Sequence, residues 1–463
     1  MKRKYEEAAS KPAGCPTRKI PIELWNAIFT HLISHEHNLS FFADRSAYLR
    51  EARQPPDDID HNRALSQARI LRATCKTFAE NHVLCSTLFH EIKLYTTMPS
   101  FENLRDLSKH THLRTFVRRI NFVYSKLDER YCDATTYRRS LKSAWEQTLP
   151  RNRKKFPYSS RQAAEGLKAY QKAYGEQEFV LESIEQGAAQ CCLSQFPKFD
   201  LVHLSIADDL ATSDYLDGHA KWLKKHHPDV DLIRAMSGRF DDDDAKNRFA
   251  TIVFNALMRA NKKPVELSSE RFVYCGATFQ LNSILDPRVL QELQTIDLPN
   301  QCFPIRSDWD AVFKPIVSIC TRMERLYIHF CGYGLPVVLD DEFLKMVRFP
   351  KLKDFHIGFG IFSGDVFAAF VEAHPSLEEI SHGWFEEMDN RNWTPYWRAM
   401  GEHPKLSKFT LLHGPPDLEI ITGKRESLEL EVALYDYVHK KGPWTEELAR
   451  VCLGEWPDKS ERS

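Results

Sequence analysis

FPKLKDFHIGFG, residues 349–360, is the stretch that decides how most of this chain is read. A proline stops one element, a leucine follows two residues later, and then apolar and polar residues alternate. Alternation with period two is the mark of a strand with one buried face. The same shape recurs in LQELQTIDLPN (290–300), CTRMERLYIHFCG (320–332), HPSLEEISHG (374–383) and HPKLSKFTLLHG (403–414). The anchors Leu293, Met323, Leu352, Leu377 and Leu406 are spaced by 30, 29, 25 and 29 residues. Each unit reads as a helix, a turn after His or Pro, and a short strand. Upstream, THLRTFVRRINFVYS (111–125) and FPKFDLVHLSIAD (196–208) have the same form.

One helix–strand unit cannot bury its own apolar face, whereas stacked units can. The period is close to the 20–29 residues of leucine-rich repeats, although no asparagine ladder recurs. The fold class expected is therefore mixed α+β or α/β, with an irregular leucine-rich-repeat-like solenoid over 196–414. Residues 95–125 read as a first repeat-like unit and 126–195 as a helical insertion. Residues 415–463 read as a C-terminal cap and tail, with a strand-like SLELEVALYDYV (427–438) and a short helix over 444–453.

The N-terminal part has a different rhythm. In RKIPIELWNAIFTHL (18–32), Leu24, Trp25, Ile28, Phe29 and Leu32 fall on one helical stripe. Pro21 suits the first helical position, and Glu23 favours the positive end of the helix dipole. Three turns of helix are not stable alone, so the stripe needs cover. ALSQARILRATCKTFAENHVLCSTLFHEIKL (64–94) supplies further apolar helical groups around Leu71, Cys75 and Phe78, then Leu84, Leu88, Phe89 and Ile92. Short helices this close in sequence predict a small bundle. Residues 33–63 intervene, with Pro55-Pro56-Asp57-Asp58 as a loop signal.

These phrases together, Pro21-x-Glu23-Leu24…Ile28-Phe29-x-x-Leu32, then Leu71-Arg72-x-x-Cys75-Lys76-x-Phe78, then Leu88-Phe89-x-x-Ile92, resemble an F-box of the kind common in fungal F-box proteins. The resemblance covers residues 18–94, with 33–63 as a long insertion. It implies a helical module that docks on the Skp adaptor of a cullin ubiquitin ligase, while the rest of the chain holds a protein client. Ile20, Pro21, Leu24, Ile28, Phe29, Leu32, Leu71, Cys75 and Phe78 are the expected docking-face or module-core residues. The other reading is a non-catalytic repeat scaffold for protein–protein interaction, without ligase association.

The totals fit either reading. The 463 residues carry a net charge of −1, so no global field draws nucleic acid or membrane. No run of 18 apolar residues suggests a membrane span. Residues 1–17 lack a signal-peptide core and read as a disordered tail. Eleven cysteines without a C-x-x-C pair suggest reduced thiols in cytoplasm or nucleus. Several tempting motifs carry little weight. Gly358-x-Gly360-x-x-x-Gly364 departs from nucleotide-binding spacing. His35–His37, His110–His112 and His226–His227 lack a matched metal-ligand cluster, and Asp241–Asp244 reads as a solvated loop. The basic run from Arg138 to Lys155 reads as an exposed helical face. No cofactor, metal or catalytic constellation is expected.

Overall fold

The computed structural model describes residues 21–34, 57–74, 76–124, 127–148, 158–206, 218–226, 243–269, 287–298, 314, 316–328, 341–357, 362–382, 394–411, 433, 436–446 and 448. The expected tail at 1–17, most of the insertion at 33–63, Gly358, Gly360 and the last residues lie outside them. The chain divides into two compact units, Met1–Glu91 with Thr115–Val117, and Ile92–Arg114 with Arg118–Ser463.

The first unit is helical: α1 (Ile22–Ser34), α2 (Asp57–Thr74), α3 (Lys76–Ala79) and α4 (His82–Phe89). Phe29, Ala68, Phe78 and Leu84 form its core, with Trp25, Leu71, Val83 and Leu88 packed around them. Trp25 stacks on Phe29 with ring centres 5.5 Å apart, and Phe78 meets both edge-on. Such contacts add to the roughly 1.5–3 kcal/mol that burying each large apolar side chain contributes. Asn81 does two jobs. Its Oδ1 accepts the N–H groups of Val83 and Leu84, capping α4, and its Nδ2 donates to Asn26 Oδ1 on α1. One buried amide thus fixes where α4 begins and where α1 lies against it.

The second unit is built on one sheet. Its strands are β1 (Glu91–Tyr95), β2 (Arg119–Tyr124), β3 (Leu201–Ile206), β4 (Glu266–Ser269), β5 (Thr295–Leu298), β6 (Arg325–Ile328), β7 (Asp354–Ile357), β8 (Glu379–His382) and β9 (Lys408–Leu411). They lie side by side in chain order, and every pair from β2 to β9 is parallel. Parallel neighbours need a crossover, and helices supply it. These are α5 (Met98–Lys109) after β1, then α6 (Ala134–Thr148), α7 (Ser160–Glu185) and α8 (Ala188–Leu193) after β2. α9 (Gly218–His226) and α10 (Asp243–Arg259) follow β3, and α11 (Pro287–Leu290) follows β4. α12 (Asp341–Met346), α13 (Gly364–Glu372) and α14 (Thr394–Glu402) follow β6, β7 and β8.

Register is set where each strand begins. The amides of Asp200 and Leu201 both donate to the carbonyl of Arg118. Val265 and Glu266 share the carbonyl of Asp200, Gln294 and Thr295 that of Val265, and Glu324 and Arg325 that of Gln294. The series continues through Lys353 and Asp354, Glu378 and Glu379, and Ser407 and Lys408. Because the pattern repeats, the same strand positions align across the sheet. Ile120, Val202, Leu267, Ile296, Leu326, Phe355, Ile380 and Phe409 form one continuous row, all buried. The anchors Leu293, Met323, Leu352, Leu377 and Leu406 are buried just before their strands. On α13, Phe367, Phe370 and Val371 are buried, and Phe370 packs 4.5 Å from Phe355.

This architecture corrects the expected one. The chain does not build an N-terminal helical F-box-like module followed by an irregular leucine-rich-repeat-like solenoid. Apart from the helical first unit, it builds a single nine-stranded parallel sheet of the α/β type. The recurring phrase reports one strand plus one crossover, and that step length is common to any parallel sheet laid down in chain order. Strands on both sides of the 126–195 segment belong to the same sheet: β2 and β3 pair over six residues across it. A second correction concerns 427–438. Ala433 and Asp436–Val438, the described residues there, are helical, not strand. Tyr437 packs so closely on Gly401 that a β-carbon there would come within 2.1 Å of its ring.

Helices α6 and α7, between β2 and β3, and α9, after β3, enclose an aromatic core of Tyr137, Trp145, Tyr158 and Tyr170, with Trp222 packed against it. The start of α7 is fixed by a capping box between Ser159 and Gln162. His219 is buried, with Nε2 2.9 Å from the Tyr137 hydroxyl. Burial pushes its pKa down to about 3, so it stays neutral.

Two glycines of α7 give a paired prediction. A β-carbon at Gly166 would lie 2.6 Å from the Trp222 ring and from the Tyr137 hydroxyl, whereas nothing lies within 4 Å at Gly175. Gly166→Ala is expected to lose about 1–3 kcal/mol by overpacking. Gly175→Ala is expected to gain about 0.5–1 kcal/mol from helix propensity. Urea midpoints of the two variants, moving in opposite directions, check this.

Candidate functional site: an apolar ridge and a polar sheet face

Two surfaces stand out, one in each unit. In the first, the sequence stripe on α1 splits in two. Phe29 is 1% exposed and Trp25 half-buried, while Leu24 is 55% and Ile28 41% exposed. Leu24 and Ile28 are four residues apart and share one helix face. Pro21, Glu23 and Ala27 are also exposed. The Pro21 carbonyl accepts the amides of Leu24 and Trp25, which starts the helix.

The expected site residues therefore separate by role. Phe29 and Phe78 are core, and Leu71 is half-buried against that core. Leu24, Ile28 and Pro21 face outward. Leu32 lies within α1. Ile20 and Cys75 lie outside the described residues. Ile70 on α2, 67% exposed, is a large apolar residue that the sequence pattern did not single out.

The second surface is the polar face of the sheet. One residue away from the apolar row, the register aligns Asn121, His203, Ser268, Asp297, Tyr327, His356 and Ser381. Adjacent strands lie about 4.8 Å apart, so this row offers a hydrogen-bonding group at each step. Ser205 Oγ donates to Asn121 Oδ1 at 2.8 Å, and His203 Nδ1 meets Ser268 Oγ at 2.7 Å. His203, Tyr327 and His356 are half-buried, while the smaller Ser268, Asp297 and Ser381 are buried.

A charged row flanks it. Arg119 reaches over β3 to Glu266 at 2.7 Å, Arg325 pairs with Asp354 at 3.0 Å, and Lys408 pairs with Glu379 at 2.7 Å. Burial raises the pKa of Glu266 despite the attraction of Arg119, and it raises that of Asp354 despite Arg325. Desolvation outweighs the ion partner in both cases. Burial also raises the pKa of the Tyr327 phenol, helped by the Asp354 carboxylate beside it. The sequence signal for this face was the third residue of each strand phrase, polar every time, which period-two reading treats as merely outward.

Among the described residues no group of three or more His, Cys, Asp or Glu is placed to hold a metal ion. His35–His37, His227 and the start of the Asp241–Asp244 run lie outside them. His110 is occupied locally, its Nδ1 accepting the Leu113 amide. Gly364 opens α13, a helix of nine residues. Among the described residues no helix is long and apolar enough to cross a membrane. Comparison of the sequence with protein-family models and with curated proteins finds no match.

Arg119 and Glu266 side chains are only 14% and 12% exposed. Removing one partner leaves a buried charge behind. Arg119→Met is expected to cost about 3 kcal/mol or more, whereas Arg119→Met with Glu266→Met should return to within about 1 kcal/mol of the parent. Urea unfolding of the single and double variants measures the difference.

Proposed function

We propose that this chain is a substrate-recruiting adaptor of a Skp–cullin–F-box type ubiquitin ligase. Leu24 and Ile28 dock the Skp adaptor, and the α/β unit holds a protein client, with the polar sheet face as its contact surface. The observation that carries this reading is the split of α1. A short helix buries Phe29 and half-buries Trp25, yet keeps two large aliphatic residues in water on another side. Because the two are already about half covered, burying the rest would contribute roughly 1.5–3 kcal/mol, a useful anchor within a larger interface. The fungal F-box resemblance of 18–94 names the partner.

On this reading the chain performs no chemistry. It works by proximity, raising the effective concentration of client beside the ligase. The compartment that goes with it is cytoplasm or nucleus, where cullin ligases act.

The test uses Leu24→Asp with Ile28→Asp in the full chain. Because both residues are exposed, the melting temperature should stay within a degree or two of the parent while co-purification with the Skp adaptor is lost. Phe29→Ala is the contrast: it should destabilise the first unit by about 3–5 kcal/mol. A double variant that still captures the adaptor contradicts the assignment and leaves the plain interaction scaffold as the better reading.

A further inference from the structure

Two histidines of the second unit occupy equivalent turns. HPSL (374–377) follows α13 and HPKL (403–406) follows α14. Both rings are buried, at 1% and 5% exposure. His374 Nε2 accepts the amide of Phe349, in the turn before β7, at 3.2 Å, and Nδ1–H donates to the Phe370 carbonyl at 2.6 Å. His403 Nδ1 accepts the amides of Lys405 at 3.3 Å and Leu406 at 3.0 Å, and Nε2–H donates to the His374 carbonyl at 3.1 Å. The His403 carbonyl in turn accepts from Lys440 Nζ. The turns before β7, β8 and β9 and the segment after β9 are thus linked through two imidazole rings.

Each ring uses one nitrogen as donor and the other as acceptor, which only the neutral form can do. A second proton would point an N–H at a backbone N–H in both places. We propose that His374 and His403 form an acid-sensitive latch, which holds the C-terminal end of the sheet together at neutral pH and loosens it as the two rings take up protons.

The charged groups acting on the rings favour this behaviour. On His374 they are Arg348, from the turn before β7, and the His403 ring; on His403 they are Lys440, from the segment after β9, and Lys405, from the turn before β9. All are cationic or become so. Burial, the largest cause, pushes His374 down to about 4 and lowers His403 as well. The sign follows. A folded pKa below the unfolded value of about 6.5 means the opened state binds more protons as pH falls. Protection is therefore full above about pH 6.5 and declines as the pH approaches 4.

Hydrogen exchange by mass spectrometry on the full chain at pH 7.5, 6.0 and 4.5, corrected for intrinsic rates, tests the latch. Peptides covering 349–357 and 403–411 should open on the order of tens-fold more at pH 4.5 than at 7.5. A peptide covering β5, which contains no histidine, should change far less. His403→Asn keeps an acceptor oxygen for the Lys405 and Leu406 amides but cannot titrate, so it should flatten the rise in 403–411. The latch is overturned if the two peptides track β5 at every pH, a result the parent chain alone can deliver. An unaltered pH profile in His403→Asn overturns it equally.

Discussion

At the start of every strand from β3 to β9, two consecutive amides reach back to a single carbonyl of the strand before. The rest of the second unit depends on this arrangement. A strand that slipped by one residue would lose both bonds and turn its apolar side chains to the wrong face. With four-residue strands from β4 onward, only two side chains per strand point inward. Register therefore decides whether Ile296, Leu326, Phe355 and Ile380 meet in one row. The helices of the crossovers close over that row, and the buried Leu or Met before each strand from β5 to β9 seals the turn.

The opposite face follows from the same constraint. Once the apolar row is aligned, Asn121, His203, Ser268, Asp297, Tyr327, His356 and Ser381 are aligned as well. This face works against stability in part: burial raises the carboxyl pKa of both Glu266 and Asp354 even though each has a basic partner. A sheet that needed only to fold gains little from a row of buried and half-buried hydrogen-bonding groups. That cost supports reading the face as a contact surface for a client, and it sets this unit apart from the helical one, where Leu24, Ile28 and Ile70 are large exposed aliphatic residues.

Much of this was legible in the sequence, because period-two alternation and a recurring anchor are direct consequences of the pleat and of one-strand steps. The strand phrases at 295–298, 325–328, 354–357, 379–382 and 408–411 carry both signals. The membership of β1 and the direct pairing of β2 with β3 across 126–195 were not legible. More than seventy residues separate β2 from β3, and periodicity says nothing about pairing across such a gap. The stretch around Asp436–Val438 misled because Glu alternating with Leu and Val imitates a strand, while the ring of Tyr437 against Gly401 belongs to a helical turn. On α1 the stripe was right, but it was too coarse. Leu24 with Ile28 and Trp25 with Phe29 differ by one residue, about 100° around the helix, and that rotation separates surface from core.

The functional account rests on that rotation. Trp25, Phe29 and Phe78 satisfy the small helical unit among themselves, so Leu24 and Ile28 are surplus to its own packing. Hydroxyl-radical footprinting of the full chain, alone and mixed with the Skp adaptor, reads this directly. The account predicts that Leu24 and Ile28 are oxidised readily in the free chain and protected when the adaptor is present, with Phe29 slow in both. Equal oxidation of Leu24 and Ile28 with and without the adaptor would contradict it.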